Sequence, residues 1–265
     1  MRNWLIFTDL DGTLLDHDNY SFSQALPALE KVNRLNIPLI INSSKTYVEI
    51  KDIRQKMHNN WAFAVENGAA VFLPQGELSG DDSRMEQFIL GKPLAELLNI
   101  IHRLREQGGF SFKGFYDFSV EELMMETGLT ANEAVQAKQR LASEPLKWLD
   151  SVKNLTIFKQ QLEAEGLQLI QGGRFLHVMG KNDKSLAMAW LLNKFTQQQK
   201  IQTIALGDSE NDAKMLEQAD YAGVISKDDG SYLGLNKSPE RVIYSQHPAS
   251  LGWQEVMDEL FDNII

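Results

Sequence analysis

Apolar runs alternate with amphipathic stretches near the start of the chain. Residues 5–7 form a short apolar run, and apolar side chains then recur at three-residue steps from Leu26 to Leu35, which predicts a strand followed by a helix. The same order continues with an apolar run at 37–41, a helical pattern at 46–57 and an apolar run at 62–65. Near-continuous apolar strands between helices are typical of a parallel sheet covered on both faces.

The alternation returns later, with predicted helices at 183–195 and 210–219 and predicted strands at 201–208 and 221–225. The middle of the chain differs, because helical patterns there alternate with isolated strand-like pieces. The helical patterns cover residues 94–105, 120–127, 131–141 and 152–163, and the strand-like pieces lie around Phe110, Leu146, Leu167 and Phe175. This texture predicts an inserted α+β domain.

We therefore predict a Rossmann-like, three-layer α/β core domain of residues 1–81 and 181–265, with residues 82–180 as the inserted domain. Gly68, Gly80 and Gly180 lie near the borders and are candidate flexible points.

Composition narrows the class of protein. The 265 residues contain no cysteine, which excludes a disulfide framework and favours a reducing, cytoplasmic location. No apolar stretch approaches the roughly 20 residues that a membrane span needs. A net charge of −10 disfavours nucleic acid as a partner, and an anionic substrate would need a local cation or a bound metal. We expect a small-molecule substrate and a monomer or weak homo-oligomer.

Two acidic motifs follow predicted strands. Asp9 and Asp11, in DLDGT, lie two positions apart, so their carboxylates can converge at the end of an extended strand, where open parallel sheets bind ligands. A polar turn with locally bonded aspartates is the alternative. The second motif, GDSEND, carries Asp208 and Asp212, although Ser209 and Asp212 also fit a capping box at a helix start.

Several carboxylates at one sheet edge repel each other unless a cation neutralises them. Oxygen ligands without histidine or cysteine at ligand spacing indicate Mg²⁺ rather than zinc. The histidines are scattered, and we predict that each is a surface or packing residue: His17, His58, His102, His177 and His247.

Two further segments fit a phosphate site. The stretch INSSKT, which ends a predicted strand, offers the hydroxyls of Ser43 and Ser44 with Lys45 before a helix, although a hydroxyl there can also be a helix cap. Lys184 lies in the first turn of a predicted helix, where the interaction of a cation with the helix dipole is unfavourable and costs about 0.3–1 kcal/mol. It is either a pocket residue or an ordinary solvated lysine.

Together these four segments resemble the haloacid dehalogenase-like phosphatases over the whole chain. The insertion at 82–180 resembles the type IIB (C2B) cap of the Cof-like branch. NSSKT replaces the Thr-Gly-Arg usual in that branch, although Ser43 keeps the hydroxyl. With ENGAAV, QRLASEP and GGRFLHVMG, this stretch is similar to the mannosyl-3-phosphoglycerate phosphatases.

The resemblance implies that Asp9 is a nucleophile that forms an aspartyl-phosphate, and that Asp11 first protonates the leaving oxygen and then activates water. Ser43 would donate a hydrogen bond to the phosphoryl group, and Lys184 would offset its charge. Mg²⁺ would be held by Asp9, the carbonyl of Asp11, Asp208 and Asp212.

The implied reaction releases mannosylglycerate and phosphate. A glycerate carboxylate calls for a planar bidentate donor, and Arg174, which follows Gly172 and Gly173, is the first choice ahead of Arg140 and Lys45. The remaining candidates for substrate contacts are Thr13, Ser44, Glu66, Asn67 and Asn211.

Three alternatives stay open from the sequence. A phosphatase for glucosyl-3-phosphoglycerate, sucrose phosphate or another phosphosugar would use the same chemistry. A phosphomutase would return the phosphoryl group to another hydroxyl, and a sugar-phosphate sensor would keep the fold without turnover.

Overall fold

The computed structural model describes residues 3–17, 19–74, 85–171, 174–195 and 201–265. Its first elements are β1 (Asn3–Thr8), α1 (Leu26–Arg34), β2 (Leu39–Asn42), α2 (Tyr47–Lys56), β3 (Phe63–Val65), β4 (Ala70–Pro74) and β5 (Met85–Ile89). They are followed by α3 (Leu94–Gly108), β6 (Phe112–Gly114), α4 (Val120–Thr127), α5 (Ala131–Ala137), β7 (Ser143–Trp148), α6 (Val152–Ala164), β8 (Leu167–Gln171) and β9 (Leu176–Gly180). The last are α7 (Lys184–Phe195), β10 (Ile201–Gly207), α8 (Ala213–Gln218), β11 (Tyr221–Ser226), β12 (Val242–Pro248) and α9 (Ala249–Asn263).

The strands form a large sheet and a small sheet. The large sheet has eight strands in the order β12-β11-β10-β1-β2-β3-β4-β5. Pairing is parallel from β12 to β3, and the last two pairs, β3–β4 and β4–β5, are antiparallel. Because β1 and β10 lie side by side in this order, the loops that follow them meet at one edge of the sheet.

Alternation along β1 fills an apolar layer on each face of the large sheet. Ile6 packs into a cluster with helices α1 and α9, which includes the fully buried Trp253. Phe7 points the other way, into a cluster with helices α7 and α8. The core is therefore three-layered, as the alternating apolar pattern predicts.

The small sheet is antiparallel, in the order β6-β7-β9-β8. One of its faces packs on helices α3 and α6 through a cluster that includes Leu97, Phe158 and Val178. On its other face, Met179 contacts Ala69 and Ala142. The small sheet therefore turns that second face toward the large sheet.

The predicted fold class, an α/β core with an inserted α+β portion, is confirmed. The predicted border at residue 82 and Gly80 lie outside the described residues. Strand β5, which the predicted division assigned to the inserted domain, pairs with β4 in the large sheet. The division into domains stays a prediction.

Several strands of the large sheet, and one helix that packs on it, were not predicted. Strands β4 and β5, strand β12 and helix α9 all lie where the sequence analysis assigned no element. Helix α9 carries a recognisable signal, because Trp253, Val256, Met257 and Leu260 are buried at helical spacing.

The chain crosses between the sheets twice, and the two crossings lie side by side. A Cβ atom at Gly180 would lie 2.9 Å from the backbone nitrogen of Lys92. Only glycine allows this close approach. Among the described residues, no helix is both long enough and apolar enough to span a bilayer.

Candidate active site

Parallel pairing of β1 with β10 brings together two acidic segments that are distant in sequence. Thr8 pairs with Leu206, and the backbone N–H of Asp9 donates to the Leu206 carbonyl at 3.0 Å. Asp9 and Asp208 therefore leave their strands at the same carboxyl edge, where parallel sheets bind ligands.

Lys184 lies between two of the buried carboxylates. Its Nζ is 2.7 Å from Asp9 Oδ1 and 2.6 Å from Asp212 Oδ1. Lys184 and Asp212 are both completely buried. Although burial disfavours the charged form, these carboxylates raise the pKa of Lys184 above its ordinary value. The lysine is therefore a fixed cation, and the alternative of a solvated surface lysine is wrong.

Asp212 holds the turn that follows β10. Its Oδ2 accepts hydrogen bonds from the backbone N–H of Asp208 at 3.3 Å and of Ser209 at 3.1 Å. Helix α8 begins at Ala213 with Asp212 as its N-cap residue and without a side-chain cap, so the predicted capping box of Ser209 and Asp212 is wrong. Asp212 thus fixes the turn through Oδ2 and contacts Lys184 through Oδ1.

The combined negative charge of three buried carboxylates exceeds the single positive charge of Lys184. Asp9, Asp208 and Asp212 offer ligand oxygens that all lie within 4.8 Å of one another. Burial raises the pKa of Asp9 to about 8; Lys184 opposes this shift and the other two carboxylates reinforce it. Burial and the charge of Asp212 raise the pKa of Asp208 to about 6. A buried, all-oxygen donor set with uncompensated negative charge fits Mg²⁺.

Asp11 has a different partner. Its Oδ1 lies 3.0 Å from Lys45 Nζ, and its side chain is one-third exposed at 33%, facing a cavity. Burial opposes the charged form of Lys45, but the carboxylates of Asp11 and Glu49 outweigh this effect and raise its pKa. Lys45 also lies 4.5 Å from the ring centre of Tyr20. Lys45 therefore holds the Asp11 carboxylate in place.

The turn after Asp11 is closely packed against the acidic cluster. Gly12 has φ +77°, and a Cβ there would lie 2.6 Å from the His17 ring. Thr13 is buried, and its Oγ1 donates to Asp208 Oδ1 at 2.9 Å. Thr13, which we predicted to contact substrate, instead orients a carboxylate of the cluster.

The segment after β2 approaches the site through its backbone and small side chains. Ser43 is buried, and its Oγ accepts a hydrogen bond from the Lys45 N–H at 3.3 Å. Ser44 lines the cavity. Thr46 forms a capping box with Glu49 that begins helix α2.

A cavity of about 590 Å³ lies between the acidic edge and the small sheet. The large-sheet side provides Asp9, Asp11 and Asp208, and the opposite wall provides Ile170, His177 and Arg174. The other residues around the cavity are His17, Tyr20, Ser44, Asn67, Gln171, Ser209, Glu210, Asn211 and Lys227. Its volume is that of a typical small-molecule site.

Comparison with known proteins agrees with this geometry. Residues 6–227 match the model of a family described as haloacid dehalogenase-like hydrolase. The chain belongs to this family. A relative from Persephonella marina, named glucosyl-3-phosphoglycerate/mannosyl-3-phosphoglycerate phosphatase, is 36% identical over 98% of both chains.

Solved structures show the same fold. A haloacid dehalogenase-like hydrolase from Bacteroides thetaiotaomicron superposes with a TM-score of 0.67 at 17% identity, over 98% of this chain and 100% of that chain. A sugar phosphatase of HAD subclass IIB gives a TM-score of 0.64 at 12% identity, over 98% of each chain. The predicted family and the predicted class of phosphoric monoester hydrolase are confirmed.

Asn67 and Asn211 join two loops of this hydrolase at the cavity. Asn211 Nδ2 donates to Asn67 Oδ1 at 3.0 Å, and both residues line the cavity. Glu66, their neighbour in sequence, is completely buried and points elsewhere. Its carboxylate accepts from the backbone N–H of Leu141 at 2.7 Å and of Ala142 at 3.0 Å, and from Ser143 Oγ at 2.6 Å.

The two candidate arginines occupy different places. Arg140 Nη1 donates to the Ser44 carbonyl at 2.9 Å, so this arginine supports the loop that lines the cavity. Arg174 is exposed in the cavity wall and donates to the backbone carbonyls of Glu126 at 3.3 Å and Thr127 at 2.6 Å. The two glycines before Arg174 lie outside the described residues.

Sequence analysis missed two histidines. We predicted surface or packing roles for His17 and His177, and both line the cavity. Burial, with a contribution from the charge of Arg140, lowers the pKa of His177 to about 3. Alternation along β9, where Leu176 and Val178 face the helices, is the signal that could have placed His177 on the cavity face.

Proposed function

We propose that this hydrolase is a Mg²⁺-dependent phosphatase of glycosyl-3-phosphoglycerates, with mannosyl-3-phosphoglycerate as its main substrate. The observation that carries the proposal is the buried cluster of Asp9, Lys184, Asp208 and Asp212, of which Asp9 and Asp208 line the cavity. The substrate class is supported by the name of the Persephonella marina relative. An exposed arginine across the cavity suits the glycerate carboxylate.

Asp9 is the proposed nucleophile. Its carboxylate attacks phosphorus, the bond from phosphorus to the leaving oxygen breaks, and an aspartyl-phosphate forms. Asp11 gives a proton to the leaving oxygen and then takes one from water, whose oxygen attacks the same phosphorus. Phosphate leaves, and Asp9 is restored.

The remaining residues of the cluster supply charge and position. Asp9, Asp208 and Asp212, with the Asp11 carbonyl, would hold Mg²⁺, which supplies positive charge to the phosphoryl group and the nucleophile. Lys184 adds a second fixed cation, and the Ser43 hydroxyl donates to a phosphoryl oxygen. Two anions about 4 Å apart at an effective dielectric near 20 repel by about 4 kcal/mol, so these cations matter for rate.

The test is phosphate release from a panel of substrates with Mg²⁺ or with a chelator. The panel contains mannosyl- and glucosyl-3-phosphoglycerate, sucrose phosphate and a phosphosugar that lacks a carboxylate. We expect Mg²⁺-dependent release, fastest from the mannosyl compound. Indifference to the carboxylate would defeat the substrate assignment, and an isomerised phosphosugar as product would indicate a phosphomutase.

Asp9→Asn is the matching variant, with the exposed Asp258→Asn as its control. We expect Asp9→Asn to fold and to lose at least about a thousandfold in turnover, because the nucleophile is gone. Near-native turnover in Asp9→Asn would remove Asp9 from this role.

A further inference from the structure

His177 is held rigidly in the wall of the cavity. It lies on β9, an inner strand of the small sheet, and pairs with Pro145 on β7 and with Ile170 on β8. Side chains on a strand alternate between faces, so His177 shares a face with Met179, which packs toward the large sheet on Ala69. A ligand contact on such a strand is more tightly positioned than one on a loop.

The His177 ring has no hydrogen-bond partner in the part of the chain that the structure describes. Its Nδ1 is buried, and neither ring nitrogen has a hydrogen bond to any described residue. A buried polar atom without a partner costs about 1–3 kcal/mol, and such atoms are rare in folded proteins. The lowered pKa keeps the imidazole neutral, with one nitrogen as donor and the other as acceptor.

The surroundings of His177 indicate what kind of group it contacts. A cationic donor binds a phosphate or a carboxylate more strongly than a neutral imidazole does, and both of these anions have cationic partners elsewhere in the proposed complex. Ile170, directly across the ladder from His177, also lines the cavity. An apolar side chain beside a neutral donor and acceptor suits a sugar ring, which offers C–H groups and hydroxyls together.

We propose that His177 hydrogen-bonds a hydroxyl of the substrate's sugar ring and selects for a glycosylated phosphate ester. The inference rests on the proposed function in taking a phosphosugar as substrate. It assigns recognition of the sugar to the small sheet and leaves the reacting groups on the large sheet.

The experiment compares His177→Phe and His177→Asn with wild type on two substrates. One is mannosyl-3-phosphoglycerate, and the other is p-nitrophenyl phosphate, which has no sugar. We expect His177→Phe to lower kcat/KM for the glycosyl substrate about tenfold more than for p-nitrophenyl phosphate, mainly through KM. His177→Asn, which keeps a polar group near Nδ1, should recover part of the loss.

Stability provides a second measurement. Replacing a buried unpartnered polar group with an apolar ring is neutral or stabilising, so the melting temperature of His177→Phe should not fall. His102→Phe is the control, because His102 lies on α3 outside the cavity. We expect this control to leave the ratio between the two substrates unchanged.

Two results would overturn the inference. An equal loss on both substrates with a lower melting temperature would give His177 a packing role, and no loss on either would mean that water satisfies the ring. A wild type that releases phosphate from another phosphosugar but not from mannosyl-3-phosphoglycerate would refute the substrate assignment alone. The His177 comparison would then be made on that phosphosugar.

Discussion

The two walls of the cavity differ in what fixes their side chains. On the large-sheet wall, Asp9 and Asp208 are buried and each has a defined partner, Lys184 or Thr13. On the small-sheet wall, Arg174 is exposed and bound only to backbone carbonyls, and His177 has no hydrogen-bond partner among the described residues. Groups that transfer a phosphoryl unit benefit from partners that fix their charge and position, whereas a group that recognises a substrate needs a donor or acceptor that the protein leaves available.

Among the variants that probe this comparison of the two walls, the largest expected effect comes from removing the cation of the large-sheet wall. Lys184→Met should destabilise the protein by about 3–5 kcal/mol in the presence of a chelator, because it leaves buried carboxylates unpaired. Phosphate release should fall at least about a hundredfold. Urea unfolding and a phosphate assay measure the two effects.

Lys214→Met is the matched control for that variant. Lys214 pairs with Asp183 at 2.9 Å, but its side chain is 72% exposed. Such surface pairs contribute about 0–1 kcal/mol. If both variants unfolded at the same urea concentration, the large-sheet wall would not depend on its buried charges as the comparison requires.

The second prediction concerns the connection between the two walls. Glu66→Gln should cost about 1.5–3 kcal/mol, because the buried carboxylate loses charge-assisted hydrogen bonds from residues 141–143. Chemical denaturation measures the change. Glu165→Gln, which weakens a partly exposed pair with Arg103, is the control and should change stability by less than about 1 kcal/mol.

The third prediction uses pH to probe the small-sheet side. Burial raises the pKa of Glu144 to about 7 from an ordinary value of 4.5. The folded state therefore binds the Glu144 proton more tightly than the unfolded state does. The resulting contribution to the free energy of unfolding is fully present below pH 4.5 and is lost as pH rises through 7.

Glu144→Gln removes that titration. As pH rises from 4.5 to 8, the variant should gain stability relative to wild type, by about 1–3 kcal/mol in the free energy of unfolding. The melting temperatures of the two proteins over this pH range measure the gain. A pH-independent difference between the two proteins would show that Glu144 is not desolvated in solution.

The smallest effect is expected at the exposed arginine. Arg174→Met should raise KM for mannosyl-3-phosphoglycerate about tenfold, or about 1.4 kcal/mol, relative to a phosphosugar without a carboxylate. Arg174→Lys keeps the charge but loses the planar guanidinium, so its KM should lie between those of wild type and Arg174→Met. Arg103→Met, at an exposed position on α3, is the control. Equal effects on both substrates would show that Arg174 does not bind the carboxylate.

Sequence patterns predicted the reaction centre better than the substrate wall. The acidic motifs and Lys184 were identified because each follows a predicted strand or begins a predicted helix, and parallel order then brings strand ends together. Thr13 and Glu66 were predicted as substrate contacts, but their side chains bind Asp208 and residues 141–143 instead. Their partners lie 195 and 75 or more positions away in sequence, so no local pattern indicates them.

By itself, the sequence determined the alternation of strands and helices and the places where carboxylates leave the sheet, because periodicity and turn chemistry are local properties. The docking of the small sheet over the acidic edge was decided only by the tertiary structure. That docking placed His177 in the cavity, where its Nδ1 has no hydrogen-bond partner among the described residues, and brought Arg140 to the Ser44 carbonyl. Long-range packing decides which side chains meet across a cavity, and the local sequence pattern of one strand or helix does not indicate those contacts.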